Sequence, residues 1–284
     1  MIRLDAATVL LQWAVGGLLF LWVTTRGREV GIGYGWLVRG TYLLMAAGAF
    51  ALGLWLDPVP VREASALAVV VATGVALGVS IVRRKAGVAG ERARVERRSA
   101  RVAAMTGIDR RSDGPDPDVP EFPPVLDLVA PVVGVPGLIA AGIAAGDPAV
   151  LSVARVLVGA AFLGSISDGM LLGHWYLVQP GLARKPLLEM VRWTGIIWPF
   201  EIVVLLWPVG MVSVLNGSID DGYGGTFGWF WVACAVTTIA LVVVTRAALR
   251  ERYYSAVMAA TGLLYLAILT AFGTDLVARA VLAS

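Results

Sequence analysis

The chain has 284 residues, 58% of them hydrophobic and only 15% charged, with a formal net charge of +3 and a mean hydropathy of +0.79. Soluble domains carry about a quarter charged residues, so this composition excludes an ordinary water-soluble domain and places the chain in a bilayer. One cysteine, Cys234, rules out an internal disulfide and a cysteine metal cluster, and one histidine, His174, rules out a two-histidine haem within the chain, a histidine-rich zinc site and the two-histidine metalloprotease motif.

A helix needs about 20 mostly apolar residues to cross the hydrocarbon. Eight stretches qualify: residues 6–24, 38–56, 64–83, 124–146, 149–178, 187–215, 226–248 and 254–282. Their apolar runs are continuous and lack period-two alternation, so the fold class is all-α, a polytopic α-helical membrane protein with about eight spans, rather than a barrel. The first stretch has no Ala-x-Ala-like cleavage site behind it and is expected to remain as a span. Cys234 falls in the seventh, as a small buried hydrophobe.

The loops alternate in charge. The first holds Arg26, Arg28 and Arg39 against one glutamate, the third has ten basic residues from Arg83 to Arg111, the fifth has Arg184, Lys185 and Arg192, and the seventh has Arg246, Arg250 and Arg252. The even loops are balanced or acidic: "DPVPVREAS", "GDPA" and "NGSIDDGYGGT". The positive-inside rule makes every odd loop cytoplasmic, puts both termini on the outer side, and places the chain as a multi-pass protein in the cytoplasmic (inner) membrane.

The third loop divides the chain into residues 1–83 with three spans, residues 84–123, and residues 124–284 with five. Residues 84–111 are expected to form a solvated helical extension of the third span, with Val88, Val95 and Val102 spaced by seven; its basic face suits anionic lipid headgroups. Residues 112–124, "SDGPDPDVPEFPP", read as an extended linker. The arginines lack a folded or aromatic-interleaved module, so nucleic acid is not expected as a partner.

Ionisable groups inside hydrocarbon are costly and mark function by default. Asp168 lies ten residues from the end of the fifth span, Glu201 lies near the middle of the sixth, and His174 lies nearer the cytoplasmic surface. Asp168 and His174 differ by about 120° around the helix axis, so they face different neighbours. Gly169 and Gly173 form a Gly-x-x-x-Gly step that admits another backbone. With the fifth and sixth spans antiparallel, Arg192 and Glu189, then His174, Asp168 and Glu201 make a candidate polar chain from the cytoplasmic surface inward. Arg155, with Asp275 or Arg279, suits an outer-leaflet ion pair. Pro199 and Pro208 are expected to bend the sixth span near Glu201. Trp193, Trp198 and Trp207 suit the interfacial belts.

No phosphate-binding loop and no nucleophile elbow is present in the sequence. Three functions remain. The first is a membrane subunit of a respiratory or other redox complex, with a bound quinone or a proton path near the cytoplasmic half of the fifth and sixth spans, working with other membrane subunits. His174 would bond a quinone carbonyl and the carboxylates would hold the accompanying proton. The second is a proton-coupled small-solute transporter with Asp168 or Glu201 as its coupling site. The third is an assembly subunit with no site of its own.

Overall fold

The computed structural model describes residues 4–106, 119–179, 181–207 and 210–283. Regular structure among them is entirely helical: α1 (Ala6–Thr25), α2 (Ile32–Leu56), α3 (Pro60–Val82), a single 3-10 turn at Arg84–Ala86, α4 (Ala89–Thr106), α5 (Val125–Ala144), α6 (Ala149–Val178), α7 (Lys185–Leu206), α8 (Met211–Leu215), α9 (Thr226–Arg250) and α10 (Tyr254–Leu282). Seven of these helices, α1, α2, α3, α5, α6, α9 and α10, are long and apolar enough to cross a membrane. The protein is a polytopic α-helical membrane protein.

The expected sixth span departs from this pattern. Instead of one helix over 187–215, α7 stops at Leu206, Trp207 is extended, and the chain resumes as α8 at Met211. At about 1.5 Å per residue α7 is long enough to span, but Glu189, Arg192 and Glu201 make it more polar than its neighbours. Pro199 lies inside α7, which continues through it; Pro208 lies outside the described residues.

Two groups of helices share α6. In one, α2, α3, α5 and α6 surround α1; in the other, α6, α7, α9 and α10 pack in a ring. Helix α1 is accordingly the most enclosed, 67% of its apolar window being buried against 33% for α2, α3, α9 and α10. The outward faces stay apolar, as at Leu67, Val71 and Val75 on α3 and Leu266 and Leu269 on α10, because their solvent is lipid. Without a hydrophobic drive between helices in lipid, close packing of small residues joins the two groups. A methyl group built on Gly16 would lie 1.8 Å from the Ala160 carbonyl oxygen, and one on Gly164 would lie 2.2 Å from the Gly16 carbonyl carbon. Backbones therefore touch where α1 crosses α6. At Gly173, of the expected Gly-x-x-x-Gly step, Thr261 of α10 donates to the carbonyl at 3.1 Å.

All four odd loops meet at one end of the bundle. Arg28 pairs with Glu121 at 3.0 Å, Gly90 donates to the Arg28 carbonyl at 2.9 Å, Lys185 lies 3.7 Å from Glu29, and Arg184 donates to the carbonyls of Leu249 and Tyr253 at 3.3 and 3.0 Å. The opposite end gathers the start of α1, the α2–α3 turn and the end of α10 around a small cavity lined by Asp5, Asp57, Arg62 and Arg279. The described ends of the chain, Leu4 and Ala283, thus lie at the end away from the basic loops. The basic segment does form a helix, α4, but not an extension of α3: the 3-10 turn and Gly87, in the left-handed region at φ 59°, interrupt the two. Glu121 ties α4 back through Arg92. Of the expected linker, residues 119–124 are non-helical and the rest lies outside the described residues.

Candidate functional site

Buried polar centres lie near both ends of the bundle, with Asp168 between them.

At the basic end, Arg39 of α2 forms a two-pronged bond with Asp127 of α5, Nε to Oδ1 at 2.7 Å and Nη2 to Oδ2 at 2.8 Å. Thr25 Oγ1 adds a third donor to Oδ2 at 2.8 Å, and the guanidinium lies 4.3 Å from the centre of the Phe122 ring. Parallel Arg–carboxylate bonds of this kind are the strong form of charge-assisted pairing. The first loop was expected to hold Arg39, but α2 begins six residues earlier than the apolar run at 38, at Ile32, and draws this arginine into the protein.

Near the opposite end, four helices contribute Gln12 (α1), Arg155 (α6), Glu201 (α7), and Asp275 and Arg279 (α10), every one of them buried. Arg279 Nε donates to Asp275 Oδ2 at 2.7 Å across one helical turn, and its Nη2 donates to Gln12 Oε1. Arg155 Nε donates to the Val204 carbonyl at 2.7 Å, in the last turn of α7, and Arg155 Nη2 lies beside Gly210 across the break. Glu201 lies within the fields of Asp275, Arg279 and Arg155. Yet neither of its carboxylate oxygens accepts a hydrogen bond from a described residue, nor does Asp275 Oδ1. Gly159 makes the assembly sterically feasible, since a methyl there would lie 2.5 Å from Gln12 Nε2 and 3.0 Å from Asp275 Oδ1. Two arginines and two carboxylates sum to zero when all are ionised, which is how such a cluster is tolerated in hydrocarbon.

This centre communicates with the terminus-bearing end. The cavity of about 20 Å³ there, room for one water-sized guest, is lined both by Arg279 and by Arg62, whose guanidinium holds Asp5, Glu63 and the Asp57 carbonyl.

Between the centres, Asp168 is fully enclosed: Tyr42 Oη donates to its Oδ1 at 2.6 Å, and its Oδ2 accepts no hydrogen bond. Tyr34 Oη donates to its backbone carbonyl at 3.3 Å. Toward α7, Thr194 Oγ1 donates to Ser165 Oγ at 3.1 Å.

The polar chain expected from the sequence is not assembled as one line. Asp168 turns to α2. His174 turns outward to α10, where Tyr265 Oη lies 3.1 Å from Nδ1, as the angular offset of the two residues requires. Glu189 pairs with Arg26 at the basic end, and Arg192 faces an open cleft between α7 and α9. Glu201 lies only five residues from the end of α7, rather than near mid-span, because the helix stops at Leu206. Its partners are Asp275, Arg279 and Arg155, not Asp168. The ion pair expected at the outer end forms inside α10, between Asp275 and Arg279, while Arg155 reaches the Val204 carbonyl. The tryptophans do not form a common pocket wall: Trp193 meets Phe20 edge to face, Trp198 donates to the Ala235 carbonyl, and Trp207 is exposed.

Sequence reasoning missed Gln12, Arg39, Tyr42 and Asp127. A glutamine in "VLLQWAV" and an aspartate in "PVLDLVAP" interrupt apolar runs and carried a usable signal. Tyr42 carried none.

No protein-family model matches the sequence, and no curated protein or solved structure matches it.

Proposed function

We propose that this chain is a proton-coupled carrier of a small solute, in which Glu201 and Asp275 hold the coupled proton and Arg155 and Arg279 are their countercharges. The observation that carries the proposal is Glu201: a fully enclosed carboxyl that no described N–H or O–H donor reaches and that can bond only by sharing a proton with Asp275, beside a helix that breaks a turn and a half later. A buried carboxylate without donors is stable only when protonated or when paired by nearby cations, so its charge state responds to small movements of Arg155 and Arg279. Arg155 binds the last turn of α7, and a shift of the α7–α8 break therefore moves a countercharge. Discontinuous helices beside buried charge are the recurring architecture of such sites. In this reading the cavity at Arg62 and Arg279, with room for one water, is the start of the proton route, on the side that we take from the basic odd loops to be the outer one.

A second reading, a proton path in the membrane subunit of a redox complex, is favoured by Asp168. Its unbonded Oδ2 beneath Tyr42, with Ser165 and Thr194 nearby, extends the polar groups inward from Glu201.

The test is purified protein in vesicles loaded with a pH-sensitive dye, challenged with amino acids, sugars, carboxylates and organic cations. One class should drive proton entry, and Glu201→Gln should reduce that signal to the level of empty vesicles. If no class moves protons, while Glu201→Gln and Asp168→Asn impair quinone-linked electron transfer in native membranes, the redox reading replaces this one. If both measurements are unaffected, the chain is an assembly subunit.

A further inference from the structure

At the basic end, α7 and α9 splay apart. Higher up they are in contact: Trp198 Nε1 donates to the Ala235 carbonyl at 3.1 Å, and a methyl group on Gly195 would meet Val242 Cγ1 at 3.5 Å. Below that level the helices enclose an open cleft of about 540 Å³ lined by Lys185, Leu188, Glu189, Arg192, Arg246 and Arg250. The lining follows helical spacing. Lys185, Leu188, Glu189 and Arg192 share one face of α7, and Arg246 and Arg250 stack one turn apart on α9, about 6 Å by helical rise.

The charges in this cleft are not neutralised by the protein. Glu189 is engaged by Arg26, and Lys185 lies 3.7 Å from Glu29 on its other side. Among the described residues, Arg192, Arg246 and Arg250 have neither an ion-pair nor a hydrogen-bond partner. With the one lining carboxylate, Glu189, taken up by Arg26, the remaining like charges repel one another, and an entering anion relieves that repulsion. Arg184 fixes the mouth, bonding the last turn of α9 and the following loop from the residue before α7.

One rung further into the bundle, the same two faces become apolar and exposed at Ile196, 41%, and Val243, 60%. A ligand for this cleft therefore needs a phosphate-bearing head and a hydrocarbon flank.

We propose that the α7–α9 cleft is a phosphate-binding site that seats the head of one anionic phospholipid, with Arg192 and Arg246 as the inner tier and Lys185 and Arg250 as the outer. It differs from the general attraction of α4 for a charged surface, because it has defined walls and admits a single head.

The experiment is native mass spectrometry of the full chain in mild detergent, after exposure to phosphatidylglycerol, to phosphatidylcholine with the same acyl chains, or to inorganic pyrophosphate. The expected result is one retained phosphatidylglycerol and no comparable phosphatidylcholine. Arg192→Gln with Arg246→Gln should weaken retention by about tenfold, the scale of a lost charge-assisted contact. Arg192→Lys with Arg246→Lys should retain the lipid and shows that the fold survives change at these positions. Arg97→Gln with Arg98→Gln on α4 should retain it as well. Equal retention by the double glutamine variant, equal loss in the α4 variant, or pyrophosphate bound in place of the lipid would each overturn the assignment.

Discussion

The two buried charge centres contain the same chemistry in opposite states of completion. At the basic end, Asp127 accepts three hydrogen bonds from Arg39 and Thr25, while Arg39 lies over an aromatic ring and leaves only its Nη1 without a hydrogen-bond partner among the described residues. At the other end, Glu201 accepts none, Asp275 has one oxygen unbonded, and the arginines take part of their bonding from a glutamine and a carbonyl. A carboxylate saturated in this way, as Asp127 is, has a single favourable arrangement and holds α2 against α5. An undersaturated one has several of similar energy, which suits a group that must gain and lose a proton. Completeness of bonding, rather than burial or charge, separates the fastening from the candidate site.

The largest expected effect falls on the saturated pair. Asp127→Ala leaves Arg39 buried and uncompensated and should destabilise the protein by about 3–5 kcal/mol, the cost of breaking a buried pair from one side; unfolding in mixed micelles measures it. An effect below about 1 kcal/mol would break the comparison, because Asp127 would then be no better bonded in energy than a surface carboxylate. Next comes the α1–α6 crossing between the centres. Gly164→Leu meets backbone that cannot rotate away and should cost about 1–3 kcal/mol by the same assay.

Glu201→Gln removes no two-pronged bond and keeps the shape of a protonated carboxyl, so it should destabilise the protein less than Asp127→Ala does, while removing the proton-coupled signal. A destabilisation as large as that of Asp127→Ala would mean that Glu201 is a fastening too. The smallest effect lies outside both centres. In the exposed loop before α9, Asp221 accepts from the backbone N–H groups of Tyr223, Gly225 and Phe227 at 2.8–2.9 Å, and these bonds hold its carboxyl below the usual carboxylate range. A depressed carboxyl contributes order that is complete above its unfolded value and is lost as pH falls through the lowered folded one. Protection of residues 223–227 from hydrogen exchange, taken relative to the intrinsic rate at each pH, should therefore fall in acid, and in Asp221→Asn it should already be lower at neutral pH.

Composition and apolar run length alone determined that the chain is a helical membrane protein, because hydrocarbon forces backbone groups to bond within a segment. Alternating loop charge grouped the odd loops correctly at one end of the bundle. Angular arithmetic also separated Asp168 from His174. Tertiary structure decided everything that depended on which helix a face meets. Nothing local in the sequence shows that Glu201 finds Asp275, 74 positions on, or that Tyr42 covers Asp168. Nor does hydropathy reveal the stop at Leu206, since the residues beyond it are as apolar as those before. Arg39 shows the same limit from the other side: a charge near a span end reads as loop, and only its partner Asp127, supplied by a distant helix, makes burial affordable. Contacts of this kind are set by the packing of small residues such as Gly16 and Gly164, which fixes depth and rotation of whole helices at once.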